Sequence, residues 1–409
     1  MERSQDMITD VENIGWEDRM ASRTKRMTSS VIRELLKLTM QPEIISFAGG
    51  LPAPELFPIR EFDEASHYIL QTEGQIALQY SPTEGYPPLK EFLAEYMSKY
   101  GILVEPENIL IVCGSQQGLD LLGKLFIEKD GCVICSRPTY LGALQAWNAY
   151  EAYYCTVDLD DDGMVVEQIP EAIKDGHKPR FIYVLPNFHN PAGTTLSEER
   201  RNLLVEIARE HDLILVEDDP YGELRYEGED LPPIFRLAPE RTIYLSTFSK
   251  TLAPGIRLAW VVAPKPLIQR LVQAKQGADL HTGTFVQMIA NDICQRGILK
   301  QHVKRLRRVY HERRDTMLDA IAEHWPSEVK YTRPAGGLFL WPRMPAGINT
   351  KDFFEKAIEE KVAYVPGYAF YPEGEGEHHA MRLNFSNASE EMINEGIYRM
   401  GIALKKELA

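Results

Sequence analysis

Along the middle of the chain, short apolar runs alternate with longer amphipathic stretches, and this alternation predicts most of the fold. Seven runs rich in Ile, Leu, Val, Phe and Tyr cover residues 109–113, 132–136, 152–157, 181–185, 213–217, 242–246 and 258–263. Their length and apolar density predict buried strands. Between them, residues 117–128 and 197–211 place apolar side chains at helical spacing. The second stretch opens on Ser197, followed by Glu198 and Glu199, a capping hydroxyl with acidic first-turn residues. Strand and helix in turn predict an α/β unit over residues 62–289, with a mainly parallel seven-stranded sheet covered by helices.

The flanks carry a different pattern. Residues 29–39 predict a short helix that includes Arg33, and residues 41–58 predict an extended Pro- and Gly-rich segment. Beyond residue 289, Lys300, Lys304, Arg305, Arg307, Arg308, Arg313 and Arg314 crowd one stretch. Its apolar residues Val303, Leu306, Val309, Tyr310, Met317 and Ile321 recur at helical spacing, so the cations read as the solvated face of a packed helix. Runs at 337–341 and 381–385 are strand-like. Residues 29–61 and 290–409 are therefore expected to form a smaller α+β domain from both ends of the chain. The first 28 residues are left as an N-terminal extension.

Composition narrows the function classes. In 409 residues, 45 Lys and Arg stand against 60 Asp and Glu, a net charge of −15 that disfavours nucleic-acid partners. No run reaches the ~18–20 apolar residues of a membrane-spanning helix. The start lacks the apolar core of a secretion signal, so a cytoplasmic location is expected. Cys113, Cys132, Cys135, Cys155 and Cys294 are odd in number and scattered, which is no disulfide framework. Cys132 and Cys135 have C-x-x-C spacing, yet in a strand they face opposite ways and read as structural cysteines.

Residues 246–257 carry the most chemistry. Ser246, Thr247, Ser249, Lys250, Thr251 and Arg257 follow a predicted strand, at the sheet edge where α/β proteins place ligands. Hydroxyls and an arginine suit a phosphate, and a lysine there can form a Schiff base with an aldehyde. A surface loop with incidental Ser, Thr and Lys would look the same. Four other segments add to it: Val184–Thr194 with Asn190 before Pro191, Leu213–Tyr221 with Glu217, Asp218 and Asp219, Gly114–Gln117 at a strand–helix junction, and Met381–Phe385 with Arg382.

In this order the segments resemble the class I/II aminotransferases, fold-type I enzymes that depend on pyridoxal 5′-phosphate. The likeness runs from about residue 29 to the C-terminus. Residues 30–39, 47–58 and 79–85 look most like the 2-aminoadipate/kynurenine aminotransferase branch. The resemblance implies that Lys250 holds the cofactor and then serves as the base at the substrate Cα, and that Asp218 pairs with the pyridine nitrogen. Spacing of the form Asp-x-x-Tyr picks out Asp218 with Tyr221, leaving Glu217 and Asp219 as a solvated acidic turn. Tyr221 and Asn190 would hydrogen-bond the phenolic oxygen, and Tyr140 would stack on the ring unless it is a core tyrosine. Ser115, Gln116, Thr247, Ser249 and Arg257 would hold the phosphate, joined by Tyr80 from the partner subunit of a homodimer.

For the substrate, the resemblance implies that Arg382 clamps the α-carboxylate, with Asn190 and the backbone of Gly49 and Gly50 close by. Arg33 is either the partner of an acidic side chain or an exposed helical arginine paired with Glu34 or Glu61. No metal is expected. The implied reaction is ping-pong transfer from a 2-amino acid to 2-oxoglutarate, with a β-lyase or decarboxylase on the same fold as the alternative.

Overall fold

A computed structural model describes residues 15–27, 41, 43–174, 178–372, 374 and 376–408. The helix expected at residues 29–39, and Arg33 with it, lies outside the described residues. The central sheet contains all seven expected strands: β1 (Ile109–Val112), β2 (Cys132–Arg137), β3 (Tyr153–Asp160), β5 (Pro179–Val184), β6 (Leu215–Asp218), β7 (Thr242–Thr247) and β8 (Ala259–Val262). Among the described residues it has eight strands rather than seven. The addition, β4 (Gly163–Met164), folds back antiparallel on β3 through a tight turn at Asp161 and Asp162. Two residues are too few to show an apolar run.

The strand order is β1-β8-β7-β6-β5-β2-β3-β4. From β7 through β6, β5 and β2 to β3, each neighbouring pair is parallel, while β8 runs against both β7 and β1. The parallel strands therefore end on one edge, and the loops leaving that edge start with their polar residues. Helices cover both faces. Val133 and Cys135 point into the core under Ser115–Phe126 and Lys265–Gln276, whereas Cys132 and Ile134 point into the core under Glu198–Glu210. The C-x-x-C pair is thus split between faces, as strand alternation requires. One correction concerns Cys132, which is joined in a disulfide to Cys155 on the adjacent strand, Cα atoms 6.2 Å apart.

The chain ends meet in a separate core. Ile45 and Phe47 pack with residues of the helices Ile298–His324 and Glu390–Leu408, around a small antiparallel sheet of Phe339–Leu340, Met381–Asn384 and Val365–Pro366. The basic helix buries Val303, Leu306, Tyr310, Met317 and Ile321 at the predicted spacing. Its Arg313 and Arg314 are buried too, held by Glu55 and Glu227, so the solvated face is narrower than expected.

The acidic turn is a second correction. Glu217 is fully buried on the β6 face opposite Asp218, and its two carboxylate oxygens accept from the backbone N–H groups of Ile234 (2.9 Å) and Phe235 (2.7 Å). These open the short helix Ile234–Leu237. Asp219 is buried as well, with 8% exposure. Alternation along a strand sends neighbouring carboxylates into different niches, so three consecutive acids need not be solvated. Replacing Glu217 with Ala leaves two buried donors without an acceptor and should lower folding stability by about 2–3 kcal/mol. Thermal unfolding of Glu217→Ala beside Glu217→Gln, which keeps one acceptor and should fall between, checks this.

Candidate active site

The loops at the carboxyl edge of the sheet enclose a cavity of about 420 Å³. Gly49, Gly50, Ser115, Gln116, Tyr140, Asn190, Asp218, Tyr221, Thr247, Ser249, Lys250, Arg257 and Arg382 all line it. These include every predicted site residue except Tyr80 and the undescribed Arg33. Tyr80 is 78% exposed, edge-on to His281, and this chain does not bring it into its own cavity.

Each wall follows from local structure. Strand β1 leads through Gly114, at φ +80°, into the helix Ser115–Phe126, so Ser115 and Gln116 at the start of that helix border the cavity. Glycine suits position 114, whose φ of +80° is a conformation that other residues rarely adopt, and a Cβ there would come within 2.3 Å of the Arg257 guanidinium. That guanidinium donates to the Cys113 carbonyl at 3.3 Å. Thr247 Oγ1 accepts from the Ser249 backbone N–H at 3.0 Å, which folds two hydroxyls onto the same side. Ser115 Oγ is buried and has no hydrogen-bond partner among the described residues.

On the opposite wall, Asp218 Oδ2 accepts from the Tyr183 hydroxyl at 2.8 Å, while Oδ1 is buried without a partner among the described residues. Burial raises the Asp218 pKa to about 7, against the lowering effect of the Tyr183 hydrogen bond. Tyr183 is a functional neighbour the sequence did not single out, since it lies inside an apolar strand like any core tyrosine. The Asn190 amide donates to the Tyr221 hydroxyl at 3.4 Å, and burial raises the pKa of that phenol. Arg382 is 1% exposed, donates to Asn190 Oδ1 (2.8 Å) and the Ala48 carbonyl (2.6 Å), and leaves its Nε without a partner among the described residues. Phe339 and Phe370 pack against its guanidinium, 4.4 and 5.0 Å from ring centre to Cζ.

Lys250 completes the cavity and donates to the Gly50 carbonyl at 2.7 Å. Burial first, and then the charges of Arg382 and Arg257, lower its pKa to about 8. An amine in this setting is available as a neutral nucleophile or base near physiological pH.

The model of the family "Aminotransferase class I and II" matches residues 55–400. The chain belongs to this family. It is 44% identical over 400 residues to a 2-aminoadipate transaminase from Thermus thermophilus, covering 97% of this chain and 99% of the relative. It is 45% identical to aromatic-amino-acid aminotransferase 1 from Thermococcus litoralis, covering 97% of this chain and 96% of that one. Among solved structures, a kynurenine aminotransferase from Pyrococcus horikoshii in complex with PMP superposes with a TM-score of 0.93 at 44% identity, covering 97% of this chain and all of that one, 100%. An α-aminoadipate aminotransferase from Thermus thermophilus, complexed with N-(5′-phosphopyridoxyl)-L-leucine, superposes at 0.90 with 43% identity, covering 97% and 99%. This aminotransferase therefore sits in the 2-aminoadipate/kynurenine branch of a pyridoxal-phosphate-dependent family with the fold-type I architecture.

The lowered lysine has a consequence for stability. Between about pH 8, its folded value, and the ordinary 10.5, the unfolded chain holds more protons at Lys250 than the folded one. Burying the amine therefore destabilises the cofactor-free fold fully below pH 8, and progressively less as pH rises toward 10.5. The side chain is only partly buried and open to the cavity, which screens the charge, so Lys250→Met should stabilise the cofactor-free aminotransferase at pH 7 by on the order of 1–2 kcal/mol. Thermal scans from pH 7 to 10.5 should show that gain fading; a gain that is constant with pH contradicts the assignment.

Proposed function

We propose that this aminotransferase moves an amino group from a 2-amino acid to 2-oxoglutarate by a ping-pong mechanism, with acidic, aromatic and branched-chain amino acids as its donor class. One observation carries the reading: a partly buried amine whose pKa is lowered to about 8 and a buried carboxylate oxygen with no partner among the described residues line the same cavity.

The donor set fits pyridoxal phosphate. Asp218 Oδ1 is an acceptor suited to a protonated ring nitrogen, and such a cation would return the carboxylate to its ionised form. Ser115 Oγ, the first turn of its helix, Thr247, Ser249, Arg257 and Gln116 suit the phosphate, and Tyr140 the ring face. Tyr221 and Asn190 suit the phenolic oxygen. When bound, the cofactor supplies the electron sink that lets the substrate Cα–H bond ionise.

The chain's own residues do the rest. Lys250 would take the proton from the substrate Cα and pass it to the cofactor's C4′. Arg382, whose Nε has no partner among the described residues, binds the α-carboxylate, and the two phenyl rings hold its fork in place. Gly49 and Gly50 present backbone to the same carboxylate. Arg33 meets the side-chain carboxylate of acidic donors. The division proposed for the chain is a smaller domain from residues 29–61 and 290–409 and a larger one from 62–289, although the helix Thr284–Gln295 crosses that boundary and packs Ile289, Ala290, Ile293 and Cys294 into the core of the central sheet. Ile76, Leu78 and Tyr80 are 58%, 73% and 78% exposed, an apolar surface suited to a second copy, whose phosphate Tyr80 then reaches.

A panel of amino donors with 2-oxoglutarate should yield glutamate from both acidic and apolar donors. Pyruvate or ammonia accumulating without glutamate would instead mean a β-lyase or a related elimination. In the same panel Arg33→Ala should lose roughly tenfold or more on 2-aminoadipate, the worth of one charge-assisted contact, and spare apolar donors. Equal losses on both classes contradict the role of Arg33.

A further inference from the structure

Behind the cavity wall lies a polar network that the reaction itself does not use. Its centre is Asp219, the residue after Asp218 and two before Tyr221. Oδ1 accepts from the Asn187 amide (3.0 Å) and the Gly222 backbone N–H (2.9 Å), and Oδ2 lies 3.4 Å from the Tyr244 hydroxyl. The main chain of Asp219 is held as well: its carbonyl accepts from Ser246 Oγ at 2.9 Å, and its N–H donates to the Leu245 carbonyl at 2.8 Å. A Cβ at Gly222 would come within 2.4 Å of Asp219 Oδ2, so the loop closes tightly on the carboxylate.

Asn187 links this centre to the neighbouring loop. Its side-chain oxygen accepts from Arg201 Nη2 at 2.7 Å. Arg201 is fully buried and gives three further N–H groups to the carbonyls of Pro186, Leu196 and Pro232, each at 2.9 Å. The loop after β5 presents Asn190, while β6 ends on Asp218 and the loop after it presents Tyr221. Asn187 and Asp219 tie these two loops together directly behind the three residues that meet in the cavity.

We propose that Asp219 is a positioning residue, clamped by Asn187, Gly222 and Tyr244, that holds Asp218, Tyr221 and Asn190 in the arrangement that grips the cofactor. It touches neither cofactor nor substrate. Its role is to convert a buried hydrogen-bond network into the spacing between two loops, and Arg201 anchors the far end. The inference rests on the cofactor site proposed above.

The test is a titration of cofactor-free protein with pyridoxal phosphate, followed by the visible circular dichroism of the bound cofactor, which reports its orientation. Asp219→Ala should weaken binding by roughly 10–100-fold, the usual cost of losing a supporting partner, and reduce the dichroic band per bound cofactor. Asp219→Asn keeps an acceptor for Asn187 and Gly222 and should restore affinity to within about threefold. Should Asp219→Ala fail to fold, Asn187→Ala removes one arm of the clamp and should shift affinity and dichroism the same way, by less. The clamp is overturned if Asp219→Ala, or in its place Asn187→Ala, binds and orients the cofactor as the unaltered protein does. It is also overturned if Asp219→Asn is as poor as Asp219→Ala. An unaltered protein that takes up no pyridoxal phosphate overturns the site reading itself, and the clamp with it.

Discussion

Lys250 brings its amine into a cavity that already holds the guanidinium groups of Arg257 and Arg382. Burial and like charge together disfavour its protonated form, and the rest of the site is arranged around that cost. Across the same cavity, Asp218 keeps one oxygen paired with Tyr183 and the other unsatisfied among the described residues. Each group is poorly placed for an empty, water-filled cleft and well placed for a ligand with a carbonyl carbon, a basic ring nitrogen and a phosphate. The arginines that depress the lysine are those proposed for the phosphate and for a carboxylate, so their charge would serve both binding and the tuning of the amine.

This also explains how an acidic protein accommodates anionic ligands. The net charge of −15 is spread over the chain, whereas the cavity gathers Lys250, Arg257 and Arg382. Arg382 reaches the cavity from the small antiparallel sheet, on the central strand Met381–Asn384. Arg257 reaches it from the loop between β7 and β8. Two cores, one built partly from residues 45–56 near the start of the chain, must both form before the positive charges converge.

Much of this was legible because strong local patterns coincide with function. Seven apolar runs announced seven strands, and polar residues just past them lined the site. Lys250, Asp218 and Asn190 all follow that rule. Patterns failed where side chains play against their local type. The strand Gly163–Met164 was missed because two residues carry no periodicity, although Asp161-Asp162-Gly163 is a hairpin-turn composition. Arg201 sits beside Arg200 on an amphipathic helix and looks like any solvated cation, yet it is buried against four acceptors. Glu217 and Asp219 looked solvated because charge is normally exposed, and only the neighbouring N–H groups and amides, distant in sequence, reverse that. Long-range polar partners leave no trace in local spacing.

The central claim is that one lysine at the carboxyl edge of the sheet holds the cofactor. Lys90 and Lys275 are also buried and offer a fair internal comparison. Borohydride reduction of the cofactor-loaded protein, followed by peptide mass mapping, tests the claim directly. The account predicts a phosphopyridoxyl group on Lys250 and on neither of those two. A label on Lys90 or Lys275, or no stable label at all, would contradict it.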